Sequence, residues 1–231
     1  SSTKSLAIRV ICPVSNRAYA SYDSATDNMY SVLKEQVDSH TTTLIFTNTR
    51  SGTERGAFKL KELYGDETID QLAAHHGSLS RDTRLDVEER LKKGMLKAAV
   101  SSTSLELGID IGYVDLVCQI GSPKSVAKGL QRIGRAGHAL HETSIGRLLV
   151  FDLDDLVECT VLVRSAYDGK IDRVAIPRNC LDVLAQHLVG MSIQSRWNID
   201  DAFKVVQRSY CYHELPREDF VATIKYLAGE H

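Results

Sequence analysis

Short apolar runs rich in β-branched residues alternate with segments of helical periodicity along the first two thirds of the chain. The runs at 6–12, 42–46, 98–100, 114–120 and 147–151 predict strands, and 29–37, 53–63 and 81–92 predict helices. Ser80 is placed to cap the last of these helices, with Leu85 and Leu91 facing inward. Strands and helices joined by short connections indicate a doubly wound, mostly parallel α/β sheet. Such sheets bind their ligands beyond the carboxyl ends of the strands.

The pattern changes from residue 153 onward, where helical segments follow one another without a convincing strand. Helices are predicted near 156–164, 181–191, 200–208 and 217–227. We place a boundary near 168–178, which gives an α/β domain at 1–170 and a small helical segment at 171–231. A segment of about sixty residues buries little apolar surface, so it should pack on the α/β part or begin a larger domain. Trp197 and Tyr212 suit either stacking on a base or anchoring these helices, and anchoring is the commoner role.

Charge and cysteine usage exclude several classes of protein. The 28 Lys and Arg against 30 Asp and Glu rule out a protein that coats nucleic acid with bulk positive charge. No apolar run is long enough to span a bilayer and no signal peptide is recognisable, so we expect a cytoplasmic protein without a membrane partner. Five cysteines, none in a C-x-x-C pair, predict free thiols. Adjacent His75 and His76 would point to opposite faces of a strand, so no metal site is predicted.

Three polar segments follow predicted strands, at 47–50, 101–110 and 129–138. Hydroxyls and backbone N–H groups at strand-to-helix turns suit the binding of phosphate oxygens, as in a nucleotide or a nucleic acid. The third segment carries Arg132 and Arg135, whose spacing places both on one helical face. They could clamp a transferring phosphoryl group, or they could form a solvated basic helix end. The sequence lacks G-x-x-x-x-G-K-[ST] and an acidic strand end for Mg²⁺, which indicates half of a composite site.

Taken in order, the segments resemble motifs IV, IVa, V and VI of superfamily 2 helicases. The matching segments are LIFTNTR at 44–50, HHGSLS at 75–80, VSSTSLELGID at 100–110 and QRIGRAGH at 131–138. The amino-acid sequences of the last two segments are most similar to those of the large helicase-related (Lhr-type) proteins of archaea and bacteria. The resemblance covers roughly residues 43 to 151. It implies a RecA-like second motor lobe at 1–170, followed by the opening helices of a winged-helix domain at 171–231.

The resemblance also implies roles at a nucleotide site. Arg135 matches the arginine finger that reaches the γ-phosphate of ATP held by the first lobe, and Arg132 is expected as a second cation beside it. Gly108 and Asp110 match positions that close on the nucleotide. His138 stands where many members have another arginine, and it either donates a hydrogen bond to the triphosphate or caps the helix. ATP and Mg²⁺ would be bound mainly by the first RecA-like lobe of the same full-length chain.

A second set of residues matches positions that grip the sugar-phosphate backbone of the tracking strand. They are Thr49, Arg50, His76, Gly77, Ser102 and Thr103. Backbone contacts of this kind position a strand without reading its sequence. The implied function is the C-terminal motor lobe of an ATP-dependent DNA helicase that translocates 3′ to 5′ on single-stranded DNA, with DNA repair as the natural pathway. An RNA helicase lobe and a nucleic-acid-binding module without motor activity are the alternatives.

Overall fold

A computed structural model describes residues 5–13, 22–106, 111–137, 142–173 and 175–230, with the side chains of Tyr22 and Asp23 left aside. The chain divides into two compact units, Ser1–Asp172 and Arg173–His231. The five cysteines are free thiols, as the sequence predicts. No helix in the described ranges is long and apolar enough to cross a membrane.

The first unit contains a sheet of six parallel strands. They are β1 Leu6–Ile11, β2 Thr43–Phe46, β3 Leu72–His75, β4 Ala98–Ser101, β5 Leu116–Ile120 and β6 Ser144–Leu149, in the spatial order β1-β6-β5-β2-β4-β3. The described residues of this unit also form five α-helices, namely α1 Tyr22–Asp38, α2 Arg50–Tyr64, α3 Arg81–Lys92, α4 Val126–Ile133 and α5 Leu153–Tyr167, and a short 3-10 helix at Asp66–Gln71. The structure therefore confirms the doubly wound parallel α/β sheet.

Both faces of the sheet are buried because successive strand residues point to opposite sides. In β2, Leu44 and Phe46 pack into one apolar cluster while Ile45 packs into the other. All three side chains are fully buried. With no polar face along β2, only the loops beyond its carboxyl end can present polar groups.

Two local expectations are wrong. Ser80 does cap α3, its Oγ accepting from the Thr83 N–H at 3.1 Å, but Leu85 is 49% exposed. Val87 packs inward with Leu91 instead, because positions four apart share a helical face and positions six apart do not. Helix α4 ends at Ile133, so Arg135 lies in the turn beyond it and does not share a helical face with Arg132.

In its described residues, the second unit contains three α-helices, α6 Leu181–Gln194, α7 Ile199–Gln207 and α8 Arg217–Ala228. They enclose a small core that includes Leu184, Phe220 and Tyr212. The Tyr212 hydroxyl donates to the Cys180 carbonyl at 2.9 Å, so this aromatic side chain anchors the packing. Trp197 remains 44% exposed. Residues 175–230 contain no strand.

Candidate functional site

The three polar segments of the first unit converge at one edge of the sheet. Strand β2 lies between β4 and β5, and all three are parallel, so their carboxyl ends meet. The loops that begin there carry Asn48 after β2 and Ser102 after β4, while Gln119 lies near the end of β5. This edge is where ligands of doubly wound sheets bind.

The first segment forms the N-terminus of α2. Thr49 is the cap residue, and its Oγ1 accepts from the Gly52 N–H at 3.0 Å. Thr49 and Arg50 are exposed. A cavity of about 230 Å³ lies beside this turn, lined by Thr49, Gly52 and Arg55 among others. This turn combines an exposed hydroxyl, guanidinium groups and the positive end of a helix. Such a combination suits the binding of a phosphate group, as in a nucleic-acid backbone.

The HHGSLS segment at 75–80, which begins at the end of β3, combines a buried histidine with an exposed glycine. His76 is only 2% exposed, and its Nε2 lies 2.5 Å from Oε1 of Glu54 on α2. Its Nδ1 has no hydrogen-bond partner among the described residues. Gly77 is exposed, with open space where a side chain would project. The His76 side chain thus supports α2 from inside, and its direct contact with a nucleic acid stays a prediction.

His75 connects the same segment to the loop after β4. Its Nδ1 lies 2.7 Å from the Ser104 hydroxyl, and its Nε2 lies 3.0 Å from Oε1 of Glu88 on α3. Burial lowers the pKa of the His75 imidazole, and Glu88 opposes that shift. The loop that contains Ser102 and Thr103 is therefore fixed from the β3 side. Ser102 is half-buried and Thr103 is exposed.

Within the described residues, the surroundings of these histidines do not form a metal-binding cluster. Across the ranges that the structure describes, no cluster of three or more His, Cys, Asp or Glu side chains could hold an ion. His75 contacts α3 through Glu88, whereas His76 contacts α2 through Glu54. The two imidazoles therefore have separate carboxylate partners, and neither arrangement resembles a ligand set for Mg²⁺.

The Arg132 side chain, 0% exposed, occupies the centre of the site. All five of its N–H donors have acceptors nearby. Nε and Nη2 donate to Oε2 of Glu106 at 3.2 and 3.1 Å, Nη2 also to the Ser102 carbonyl at 3.2 Å, and Nη1 to the side chains of Asn48 and Gln119. The guanidinium also lies 5.0 Å from the centre of the Phe46 ring.

This environment bears on the expected role of Arg132. Burial lowers the pKa of its guanidinium, and the Glu106 carboxylate opposes that shift. With its donors engaged inside the unit, Arg132 joins the ends of β2, β4 and β5 rather than presenting a charge at the surface. A contact between Arg132 and a phosphate stays a prediction. The burial of Arg132 and the engagement of its donors within the unit argue against that contact.

Arg135 is half-buried at the same edge. Its Nε and Nη2 donate to the main-chain carbonyl of Glu106 at 3.1 and 2.9 Å. Glu106 therefore contacts both arginines, Arg132 through its carboxylate and Arg135 through its backbone. Gly108, Asp110 and His138, which were predicted to contact nucleotide, lie outside the described residues.

Asn48, Glu106 and Gln119 are parts of this site that sequence reasoning missed. Gln119 does leave a signal, because it is a polar residue inside an apolar β-rich run. Asn48 and Glu106 lie within polar segments already singled out, but nothing in their spacing indicates that they face Arg132.

Two family models match the chain. Residues 25–139 match the helicase conserved C-terminal domain, and residues 164–231 match the winged helix domain of large helicase-related proteins. The ATP-dependent helicase Lhr-Core of Methanothermobacter thermautotrophicus is 54% identical over 99% of the chain, and that of Methanocaldococcus jannaschii is 53% identical over 98%. The chain spans 27% and 26% of the lengths of these relatives.

A solved structure matches both units. The Mycobacterium smegmatis helicase Lhr, bound to single-stranded DNA and AMP-PNP, aligns with a TM-score of 0.91 at 39% identity. The alignment covers 97% of this chain and 30% of the mycobacterial one.

Proposed function

This chain belongs to the large helicase-related (Lhr) family of superfamily 2 helicases, and from that premise we propose that it is the C-terminal motor lobe of an ATP-dependent DNA helicase. Its first unit has the RecA-like fold of such lobes, and its second begins the winged-helix domain. The observation that carries the proposal is that Arg135 and the loop after β4 lie at one sheet edge, where Glu106 contacts both Arg135 and buried Arg132, and Arg132 contacts the Ser102 carbonyl.

On the nucleotide side, Arg135 acts as the arginine finger. The first RecA-like lobe of the full-length chain binds ATP, and closure of the two lobes brings Arg135 to the γ-phosphate. A guanidinium placed there stabilises the charge that develops during phosphoryl transfer. The partial exposure of Arg135, together with a carbonyl that directs its guanidinium, supports this role. Gly108, Asp110 and His138 are proposed to contact the nucleotide, and Mg²⁺ would be held by the first lobe.

On the nucleic-acid side, groups at this edge of the sheet hold the sugar-phosphate backbone of single-stranded DNA. Thr49 and Arg50 at the start of α2, Gly77, and Ser102 with Thr103 supply these contacts, and His76 holds the α2 turn behind them. Gripping and release of the strand, alternating with lobe closure, move the helicase along the strand in the 3′ to 5′ direction. The mycobacterial relative, whose structure contains single-stranded DNA and AMP-PNP, supports both sides of this proposal.

The test is DNA-stimulated ATP hydrolysis by the full-length protein carrying Arg135→Ala. Loss of an arginine finger lowers kcat by about 10³-fold or more. The matched control is Arg164→Ala, since Arg164 is an exposed arginine on α5 far along the chain from the motifs. If Arg135→Ala retained the kcat of the control, the finger assignment would be wrong.

Two further measurements define the activity. The 231-residue chain by itself is expected to hydrolyse ATP at a negligible rate, because the nucleotide is bound mainly by the first lobe. Hydrolysis that DNA stimulates and that survives Arg135→Ala would contradict this. Strand displacement by the full-length protein on matched DNA and RNA duplexes decides the substrate, and unwinding of RNA alone would replace the DNA proposal with an RNA helicase.

A further inference from the structure

We propose that Glu106 is the positioning residue for Arg135, and that it links the orientation of the finger to the strand-gripping loops of the same lobe. This inference rests on the proposed function, because it needs Arg135 to be the finger. Glu106 does not touch the nucleotide in this proposal. It acts only through the arginine that its main-chain carbonyl holds.

The carboxylate of Glu106 is anchored inside the unit. Its side chain is 11% exposed, and its Oε2 accepts from two nitrogens of Arg132, which is 0% exposed. Arg132 is itself fixed by acceptors on three strand ends. A charge-assisted pair with these additional hydrogen bonds has little freedom to move, so the backbone at Glu106 is fixed as well.

The main-chain carbonyl of Glu106 then directs Arg135. Two nitrogens of the Arg135 guanidinium converge on this single oxygen, at 3.1 and 2.9 Å. Arg135 lies beyond the end of α4, in a turn that ends at Gly137, so helical backbone geometry does not set its direction. The carbonyl contact is a constraint on the orientation of Arg135 that the helix does not give.

The same network reaches the loops that hold the strand. Arg132 donates hydrogen bonds to the Ser102 carbonyl and to the Asn48 side chain. Asn48 is the residue that precedes Thr49, the cap of α2. A displacement of either loop therefore changes the hydrogen bonds of Arg132, and through Glu106 it changes the direction of Arg135. Contact with the strand and aim of the finger become coupled within this lobe.

The experiment is a double-mutant cycle on the full-length protein with Glu106→Gln and Arg135→Ala, measuring DNA-stimulated ATP hydrolysis. Glutamine keeps an acceptor oxygen but loses the charge that anchors Arg132. Glu106→Gln is expected to lower kcat by about ten- to a hundredfold, because a finger displaced by a fraction of an ångström stabilises the transition state less well. The KM for ATP should change by less than about twofold, since ground-state binding is unaffected.

The cycle separates positioning from general damage to the fold. In the Arg135→Ala background, Glu106→Gln should cause no further fall in kcat, because there is no finger left to misdirect. The control is Glu158→Gln on α5, whose carboxylate pairs with Lys124 Nζ at 2.7 Å and contacts neither arginine. This control should leave kcat unchanged in both backgrounds.

Each outcome has one meaning. An equal fall in kcat on adding Glu106→Gln to wild type and to Arg135→Ala would overturn the positioning role while leaving the finger intact. An unchanged kcat in Arg135→Ala alone would overturn the proposed function, and the positioning role with it. If Glu106→Gln fails to fold, the same cycle with Glu106→Asp applies the same criterion, since aspartate keeps the charge and shortens the side chain.

Discussion

Arg132 is a fully buried charge whose partners all belong to the same unit. Removing one member of such a pair leaves the other desolvated without compensation, which costs about 3–5 kcal/mol. We therefore expect Arg132→Met to lower the free energy of unfolding of the 231-residue chain by that amount in urea, followed by circular dichroism. The reference is Arg164→Met at an exposed position, which should change stability by about 0.5 kcal/mol or less. An equal loss in both variants would refute the structural role of Arg132.

His75 makes stability depend on pH. Its folded pKa lies below the ordinary 6.5, chiefly because of burial, with Glu88 opposing the shift and Arg84 and His76 adding to it. Below pH 6.5 the unfolded chain takes up a proton that the folded unit resists, so the free energy of unfolding falls as pH drops through that value. Above it both states hold a neutral imidazole and this contribution is constant.

The measurement is urea unfolding at pH values from neutral to about one unit below the ordinary histidine pKa. His75→Gln, which keeps a hydrogen-bonding side chain without titrating there, should flatten the decline. His213→Gln is the comparison, since the His213 side chain is 41% exposed in the second unit. A decline as steep in His75→Gln as in wild type would show that His75 does not cause it.

At the scale of elements, α4 and β6 meet at a glycine. A Cβ added to Gly146 would lie 2.9 Å from carbon atoms of the Ile133 side chain, which is 1% exposed at the end of α4. Glycine here lets the last turn of α4 approach the sheet just before Arg135. The close approach therefore helps to place the turn that carries Arg135.

Gly146→Ala is expected to destabilise the chain by about 1–3 kcal/mol, because Ile133 has no space into which to move. Gly190→Ala on the exposed face of α6 is the matched control, since nothing lies within 4 Å of the added carbon. That substitution should be neutral or stabilising by up to about 1 kcal/mol, since alanine favours helix. Urea unfolding of the two variants side by side measures the difference, and equal stability would contradict the packing argument.

At the scale of the whole molecule, the chain is two compact units joined by an exposed connection. Lys170 and Arg173 lie there, outside any helix or strand, and both are exposed. Limited trypsin digestion should therefore cleave after these residues before it cleaves within α3 or α8, both of which contain internal basic residues. Mass spectrometry identifies the bonds cut, and early cleavage inside those helices with the connection intact would contradict the division.

The sequence alone determined the class of fold, because a parallel sheet buried on both faces leaves alternating apolar strands and amphipathic helices in the primary pattern. It also indicated which polar segments follow the strands. The amino-acid sequences of these segments identified the helicase family. Element ends and inward faces were less well determined, as Leu85 and the end of α4 show, because packing against neighbours decides them.

Only the tertiary structure decided which residues of the candidate site are buried and which reach the surface. Arg132 and Arg135 are three residues apart in sequence, yet one is buried and the other reaches the edge of the sheet. Burial of Arg132 depends on acceptors from positions 48, 102, 106 and 119, which are distant in sequence and meet only because parallel strands end at a common edge. Sequence spacing describes a single helix, whereas the desolvation and hydrogen bonding of a charge depend on every segment that folding brings around it.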